Sequence, residues 1–269
     1  MHWVLQKNMF AEEGYDRLLR AMARCDVKYS EHKVVPFVGD ISPEPVITPG
    51  DNVVVVGSYS MADHATKMGW VPGSFKNDNL DFEVQIQYWG NQMLNHDAVV
   101  TTLGEVEFQE KPFFIRPTLD TKSFSGMVMD WGEFTEWQES IRTMTEDEQT
   151  YATVDLNTKV MVCKKRKIHR EFRLWVVDGI VVTASMYRDG AMVRYDDRVD
   201  EAITNHGTAV AAVWSPARAY VLDLCDTPDG IKIVEAGCIN AAGFYAADMQ
   251  LLLMAIENMN GFEFQTKDK

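Results

Sequence analysis

Four consecutive valines at 53–56, closed by Gly57, restrict the fold more than any other feature of the chain. Successive strand residues point to opposite faces, so an unbroken β-branched run is a strand covered on both sides. Such a strand belongs inside a parallel sheet flanked by helices, and the neighbouring segments fit that requirement. Residues 3–6 read as an opening strand. Residues 11–25 read as a helix with Tyr15, Leu18, Leu19 and Met22 on one face. A further strand is expected over 34–37, a proline-rich loop from 43 to 50, and a helix over 60–68. This alternation predicts a small α/β domain over residues 1–105.

The remainder, residues 106–269, reads as α+β. Strands are expected over 113–116, 159–163, 171–177 and 180–185, the last two joined by the hairpin signal Asp178-Gly179. Residues 130–144 read as partly helical and 199–213 as a helix. A second strand pair over 220–224 and 231–235 is joined by a turn containing Pro228, Asp229 and Gly230. A last helix is expected over 245–258.

Composition narrows the function. The 269 residues carry a net charge of −14, which repels nucleic-acid phosphates and anionic lipid. No apolar stretch approaches the roughly 20 residues of a membrane helix, and the opening residues lack the pattern of a signal peptide. The four cysteines, Cys25, Cys163, Cys225 and Cys238, are scattered and form no CxxC pair. A disulfide framework or zinc site is not expected, and a reducing cytoplasm is. The basic run from Lys164 to Arg170 is either a local positive island for a nucleotide or a solvated loop.

Three constellations could carry chemistry. Arg116-Pro117 ends one strand and is followed by Asp120, Lys122 and the small-residue loop Ser123, Phe124, Ser125, Gly126. A cation at a strand end and another on a flexible loop can clamp phosphate oxygens, as can the loop's N–H groups. A surface ion pair beside an ordinary loop would look the same. Glu171 and Arg173 share a strand face, with Tyr187 and Arg188 after the next strand, suiting either an anion site or cross-strand ion pairing. Asp223 and Glu235 each end an apolar strand of one hairpin, so two carboxylates should meet side by side. That is unfavourable unless a cation lies between them. Magnesium suits such hard oxygen ligands, and an arginine is the alternative.

Taken in order, FFIRPTLDTKSFSG, EFRLWVVDGIVVTASMYR, AYVLDL and IVEAGCINAAGFYAAD resemble the ATP-grasp superfamily. The chain looks most like a bacterial and phage clade in which an Arg-Pro strand replaces the usual Lys-Pro strand. VVVVGSYSM and GWVPGSF resemble that clade's preceding domain, so the likeness covers nearly the whole chain. It implies an α/β N-terminal domain followed by an α+β ATP-grasp domain, in the cytoplasm of a bacterium or a phage-infected host cell.

The resemblance also implies roles. Arg116 would hold ATP phosphates, and Lys122 with Ser123, Ser125 and Gly126 would form the lid over them. The strand at 160–164, through Val162, Cys163 and Lys164, would supply the backbone hinge for adenine, with Glu171 beside it. Arg173 and Arg188 would bind the transferred phosphoryl group or the substrate carboxylate. Asp223 and Glu235 would hold Mg²⁺. The superfamily's last motif usually reads Glu-x-Asn. Here Gly237 stands in the Asn position, and Asn240 is the candidate replacement. The implied activity is an ATP- and Mg-dependent carboxylate–amine ligase acting through an acyl phosphate on small-molecule or peptide substrates. No nucleic acid or membrane partner is expected, and no oligomeric state is fixed. A phosphotransferase and a non-catalytic nucleotide-binding or interaction protein are the alternatives.

Overall fold

The computed structural model describes residues 1–7, 9, 13–35, 40–120 and 123–259. Its N-terminal part is the covered sheet that the valine run requires. The elements are β1 (His2–Gln6), α1 (Glu13–Arg24), β2 (Lys28–Val34), β3 (Ile41–Ser42), β4 (Val53–Val56), α2 (Tyr59–Met68) and β5 (Pro72–Gly73). The sheet runs β3-β2-β1-β4-β5, with β4 parallel to both of its neighbours. Val53 and Val55 pack with Met61 and Ala65 of α2, whereas Val54 and Val56 join Tyr15, Leu18 and Met22 of α1. The second strand lies earlier than its hydrophobicity suggests. KYSEHKV is polar, and it is a strand because it pairs in parallel with β1 along its length. Phe37, part of the expected strand, lies outside the described residues.

Gly57 closes β4 where backbone and side chains crowd. A Cβ there would lie 2.6 Å from Gln6 Cβ and 2.8 Å from both Gln6 Oε1 and Met61 Cγ. Gly57→Ala is therefore expected to destabilise the protein by about 1–3 kcal/mol, the usual cost of overpacking. Urea denaturation checks this, and an unchanged midpoint would refute the close packing.

After α3 (Phe82–Trp89) comes an antiparallel sheet of β6 (Val99–Thr102), β7 (Phe113–Pro117), β8 (Met127–Met129) and β9 (Lys159–Lys164). The order is β6-β9-β7-β8. Between β8 and β9 lie α4 (Trp131–Arg142) and α5 (Glu146–Tyr151). Asp130 and Glu133 form a reciprocal capping box that starts α4. β6 pairs with β9, so this sheet begins ahead of the boundary expected at residue 105. It has a core of its own, built from Leu103, Phe113, Ile115, Phe134, Ile141 and Val160.

The third sheet is antiparallel, in the order β12-β11-β10-β13-β14. It contains β10 (Arg170–Val177), β11 (Ile180–Asp189), β12 (Met192–Asp196), β13 (Ala219–Thr227) and β14 (Gly230–Gly237), with α6 (Glu201–Val213) and α7 (Met249–Glu257) packed on it. Asp178 and Gly179 both have positive φ, as the tight β10–β11 turn requires. One face, through Phe172, Leu174 and Val176, packs with Ile203 and Val210 of α6. On the other face Trp175, Val177 and Val221 share a continuous core with Trp3, Leu5, α1 and α7. The first and third sheets are thus fused through one core. Among the described residues no helix is long and apolar enough to cross a membrane.

Candidate active site

The four-stranded sheet and the face of the third sheet that bears Glu171 enclose a cleft of about 620 Å³. Strand register assembles its charged floor. Arg173 on β10 is opposite Asp223 on β13, and Asp223 is opposite Glu235 on β14, so the three lie in one row across three strands. The two carboxylates therefore do meet side by side, as the hairpin predicts.

In the structure arginines lie between them and their surroundings. Arg173 grips Asp223 with both ends of its guanidinium, Nε to Oδ1 at 2.8 Å and Nη2 to Oδ2 at 2.7 Å. Both side chains are shielded, at 13% and 5% exposure. Burial works against the Arg173 charge, but Asp223 more than offsets it, so the guanidinium is held more firmly protonated than usual. Arg116 reaches from β7 across the cleft to Glu235. Glu171 accepts a 2.8 Å hydrogen bond from the Tyr187 hydroxyl and lies 3.4 Å from Arg188 Nε. Burial first, then the charges of Asp223 and Glu171, push the Tyr187 phenol well above its ordinary range.

The residues singled out in the sequence take different places. Arg116, Ser125, Gly126, Glu171, Arg188, Asp223 and Glu235 line the cleft, and Arg173 lies behind Asp223. Val162, Cys163 and Lys164 lie on β9, where β6 pairs only as far as Val162. Cys163 and Lys164 thus have a strand neighbour on the β7 side alone. Burial raises the Cys163 thiol to about 11, and its Sγ lies 3.3 Å from Asn95 Oδ1. Lys164 pairs with Asp97. Ser123 is described outside the cleft lining, where its backbone carbonyl accepts a hydrogen bond from Thr153. Lys122 lies outside the described residues.

Asn240 lies apart from the cleft lining. It is buried, and its side chain is committed elsewhere: Oδ1 accepts from the Phe75 N–H at 2.8 Å and Nδ2 donates to the Val55 carbonyl at 2.7 Å. It fastens the first sheet to the end of β14 and does not line the cleft. The basic run is also divided. Arg166 and Ile168 line the cleft, but Arg166 pairs with Asp97, while Arg170 pairs with Asp200 and Asp226.

Sequence reasoning missed the apolar lining: Leu94, Phe114 and Val234. Phe114 was recoverable, because alternation along β7 places it on the face that carries Arg116. It also missed Tyr59, whose hydroxyl donates to Asp120 at 2.7 Å.

Magnesium suits the carboxylates in one respect. Two hard-oxygen donors at facing register positions, with Glu235 partly exposed, are the residues that would hold such an ion. Among the described residues no group of three or more His, Cys, Asp or Glu side chains could hold a metal ion by itself.

A charged cleft between two antiparallel sheets, with an α/β sheet packed behind the larger one, defines an ATP-grasp protein. The model of the ATP-grasp domain of the arginine-for-lysine clade, family 3, matches residues 44–256, and the chain belongs to that family. Its fold is similar to that of a D-alanine–D-alanine ligase from Bacillus anthracis complexed with ATP, with a TM-score of 0.55, 15% identity and 96% of each chain covered. An L-amino acid ligase from Bacillus licheniformis gives a TM-score of 0.57 at 13% identity, covering 98% of this chain and 77% of that one. A RimK domain ATP-grasp protein from Sphaerobacter thermophilus gives 0.55 at 13% identity, covering 93% and 98%. At these identities the likeness is one of fold. No curated protein matches the chain.

Proposed function

We propose that the protein is an ATP- and Mg-dependent carboxylate–amine ligase that works through an acyl phosphate. The observation that carries this reading is the row Arg173–Asp223–Glu235 with Arg116 reaching into it from the opposite sheet. Such a row offers cations to phosphate oxygens and carboxylates to a metal at one place.

The apolar wall of Leu94, Phe114 and Val234 would take the adenine, beside the backbone of Cys163 and Lys164. Arg116 and Arg188 would hold the phosphates, with the loop through Ser125 and Gly126 above them, and Lys122 would join them by the family resemblance alone. Asp223 and Glu235 would hold magnesium, which when bound supplies positive charge to the γ-phosphate. The substrate carboxylate oxygen attacks the γ-phosphorus, and the bond to the ADP oxygen breaks. An amine then attacks the acyl carbon, phosphate leaves with the C–O bonding pair, and the amine gives up a proton. Arg116 and Arg188 act by stabilising charge on the transferred oxygens. The closed cleft keeps water from the acyl phosphate.

Because each carboxylate already has an arginine partner, the ion should bind with the nucleotide rather than before it. Mg·ATP at about 100-fold excess over its Kd is expected to stabilise the protein by about 2.7 kcal/mol, and magnesium alone by almost nothing. Thermal melts with each ligand check this, and no shift with Mg·ATP would remove the nucleotide reading. Screening pools of carboxylates and amines for ADP release finds the substrates. With an ¹⁸O-labelled carboxylate, label must then appear in the phosphate, and unlabelled phosphate would overturn the acyl-phosphate route.

A further inference from the structure

A second cleft, of about 870 Å³, lies between α1, the end of β12 and the start of α7. Five arginines line it against three aspartates, on a chain whose net charge is −14. We propose that this cleft binds a polycarboxylate, and that it is where the ligase holds an acidic substrate; the second half of that statement rests on the ligase reading.

Arg17, Arg20 and Arg24 recur on one face of α1, one per turn. Like charges so spaced repel one another weakly, partly offset by Glu13 and Asp16 four residues ahead of Arg17 and Arg20, and an anion in the cleft would relieve the rest. Arg20 and Arg24 are exposed, and among the described residues neither has a carboxylate within ion-pairing distance. Arg17 spends one end on the Tyr245 carbonyl, while its Nε is shielded from solvent with no hydrogen-bond acceptor among the described residues.

Two of the three aspartates of the cleft are already engaged, and the third, Asp197, is exposed to solvent. Asp196 is gripped by Arg198 through Nε at 3.0 Å and Nη2 at 3.1 Å, and is approached by Arg194 at 3.3 Å. Asp248 accepts from the Gln250 and Leu251 N–H groups at the start of α7. The arginines of α1 are therefore the part of the cleft with unused donors. Guanidinium forks match carboxylates in geometry, and several in a row select a ligand with several carboxylates.

The cleft is also connected to the ATP-grasp site. Tyr195, which lines it, stacks on Tyr245 at 5.0 Å between ring centroids, and Tyr245 stacks on Tyr187 at 5.1 Å. Tyr187 lines the other cleft. The Arg173 guanidinium sits 4.8 Å from the centre of the Tyr245 ring. Tyr245 has a φ of 46°, in the left-handed region that a bulky side chain seldom occupies. It is held there with its carbonyl on Arg17 and its ring between the two tyrosines. An anion in the arginine cleft and a phosphate near Arg188 would thus lie at the two ends of one aromatic column.

Calorimetry on the full chain at low ionic strength tests this with hexaglutamate, citrate and hexaserine. Hexaglutamate or citrate should bind, hexaserine should not, and R20E/R24E should weaken the anion by about tenfold or more while keeping the Mg·ATP melting shift. Tighter binding of hexaglutamate than citrate identifies a peptide ligand, and the reverse a small acid; either supports the proposal. Binding of hexaserine as tight as the anions, no binding of either anion, or full affinity in the variant overturns it. If the double variant fails to fold, R24Q carries the same test with a smaller expected loss. Anion binding without any Mg·ATP shift would leave the cleft standing and sink the ligase reading alone.

Discussion

Asp223→Asn is expected to lower stability by about 3–5 kcal/mol, with EDTA as well as with magnesium, because it strands the buried Arg173 charge. The two-ended contact at 2.7 and 2.8 Å and the near-complete burial of Asp223 make this the costliest single change at the site. The sign matters. Had Asp223 faced only Glu235, losing one of two like charges would have left the metal-free protein equally or more stable. Urea denaturation of wild type and variant in EDTA decides between them, and a variant as stable as wild type would refute the ion pair. A companion pair sharpens the result. Arg173→Met with Asp223→Leu should cost clearly less than the sum of the single changes, because the pair leaves together.

Arg116→Ala should reduce ATP-dependent turnover by on the order of 10²–10³-fold while changing stability little. Arg116 lies in the cleft, and its partner Glu235 is 36% exposed, so water can replace the contact when the arginine is gone. Arg116→Lys should recover much of the loss, since a single ammonium still meets a phosphate oxygen, though without the guanidinium fork. ADP release with a responsive carboxylate and amine measures both variants. An alanine variant within about threefold of wild type, far short of what a lost transition-state cation costs, would move Arg116 out of the reaction.

The sequence made the site legible where chemistry and periodicity coincide. Asp223 and Glu235 could be placed side by side because each follows an apolar run and a short turn fixes the hairpin. Glu171 and Arg173 followed from alternation on one strand. What could not be read is which charges choose each other. Arg173 takes Asp223 because β10 and β13 are neighbours in a register that no local pattern encodes. The partners of Asn240 were illegible for a related reason. Its position after β14 is compatible with a metal ligand, but its hydrogen bonds go to Val55 and Phe75, more than 160 residues away in sequence. The strand at Lys28–Val34 was misplaced because its partner, not its composition, makes it a strand.

The four-stranded sheet has a core of its own on one face, while Met161 and Cys163 on the other pack with Phe172, Leu222 and Ile233 of the third sheet. The chain enters that sheet through residues 90–98 and leaves it through residues 165–169. Asp97 in the first crossing pairs with Arg166 in the second, so the two connections are pinned to each other. The remaining two sheets share one core and form the fixed frame. Parting the two sheets would draw Arg116 from Glu235 and pull Met161 and Cys163 out of that shared packing, while Arg173 and Asp223, both on the frame, keep their places. Opening would then dismantle only half of the charged row, and closure would have one ion pair to restore there rather than the whole site to rebuild.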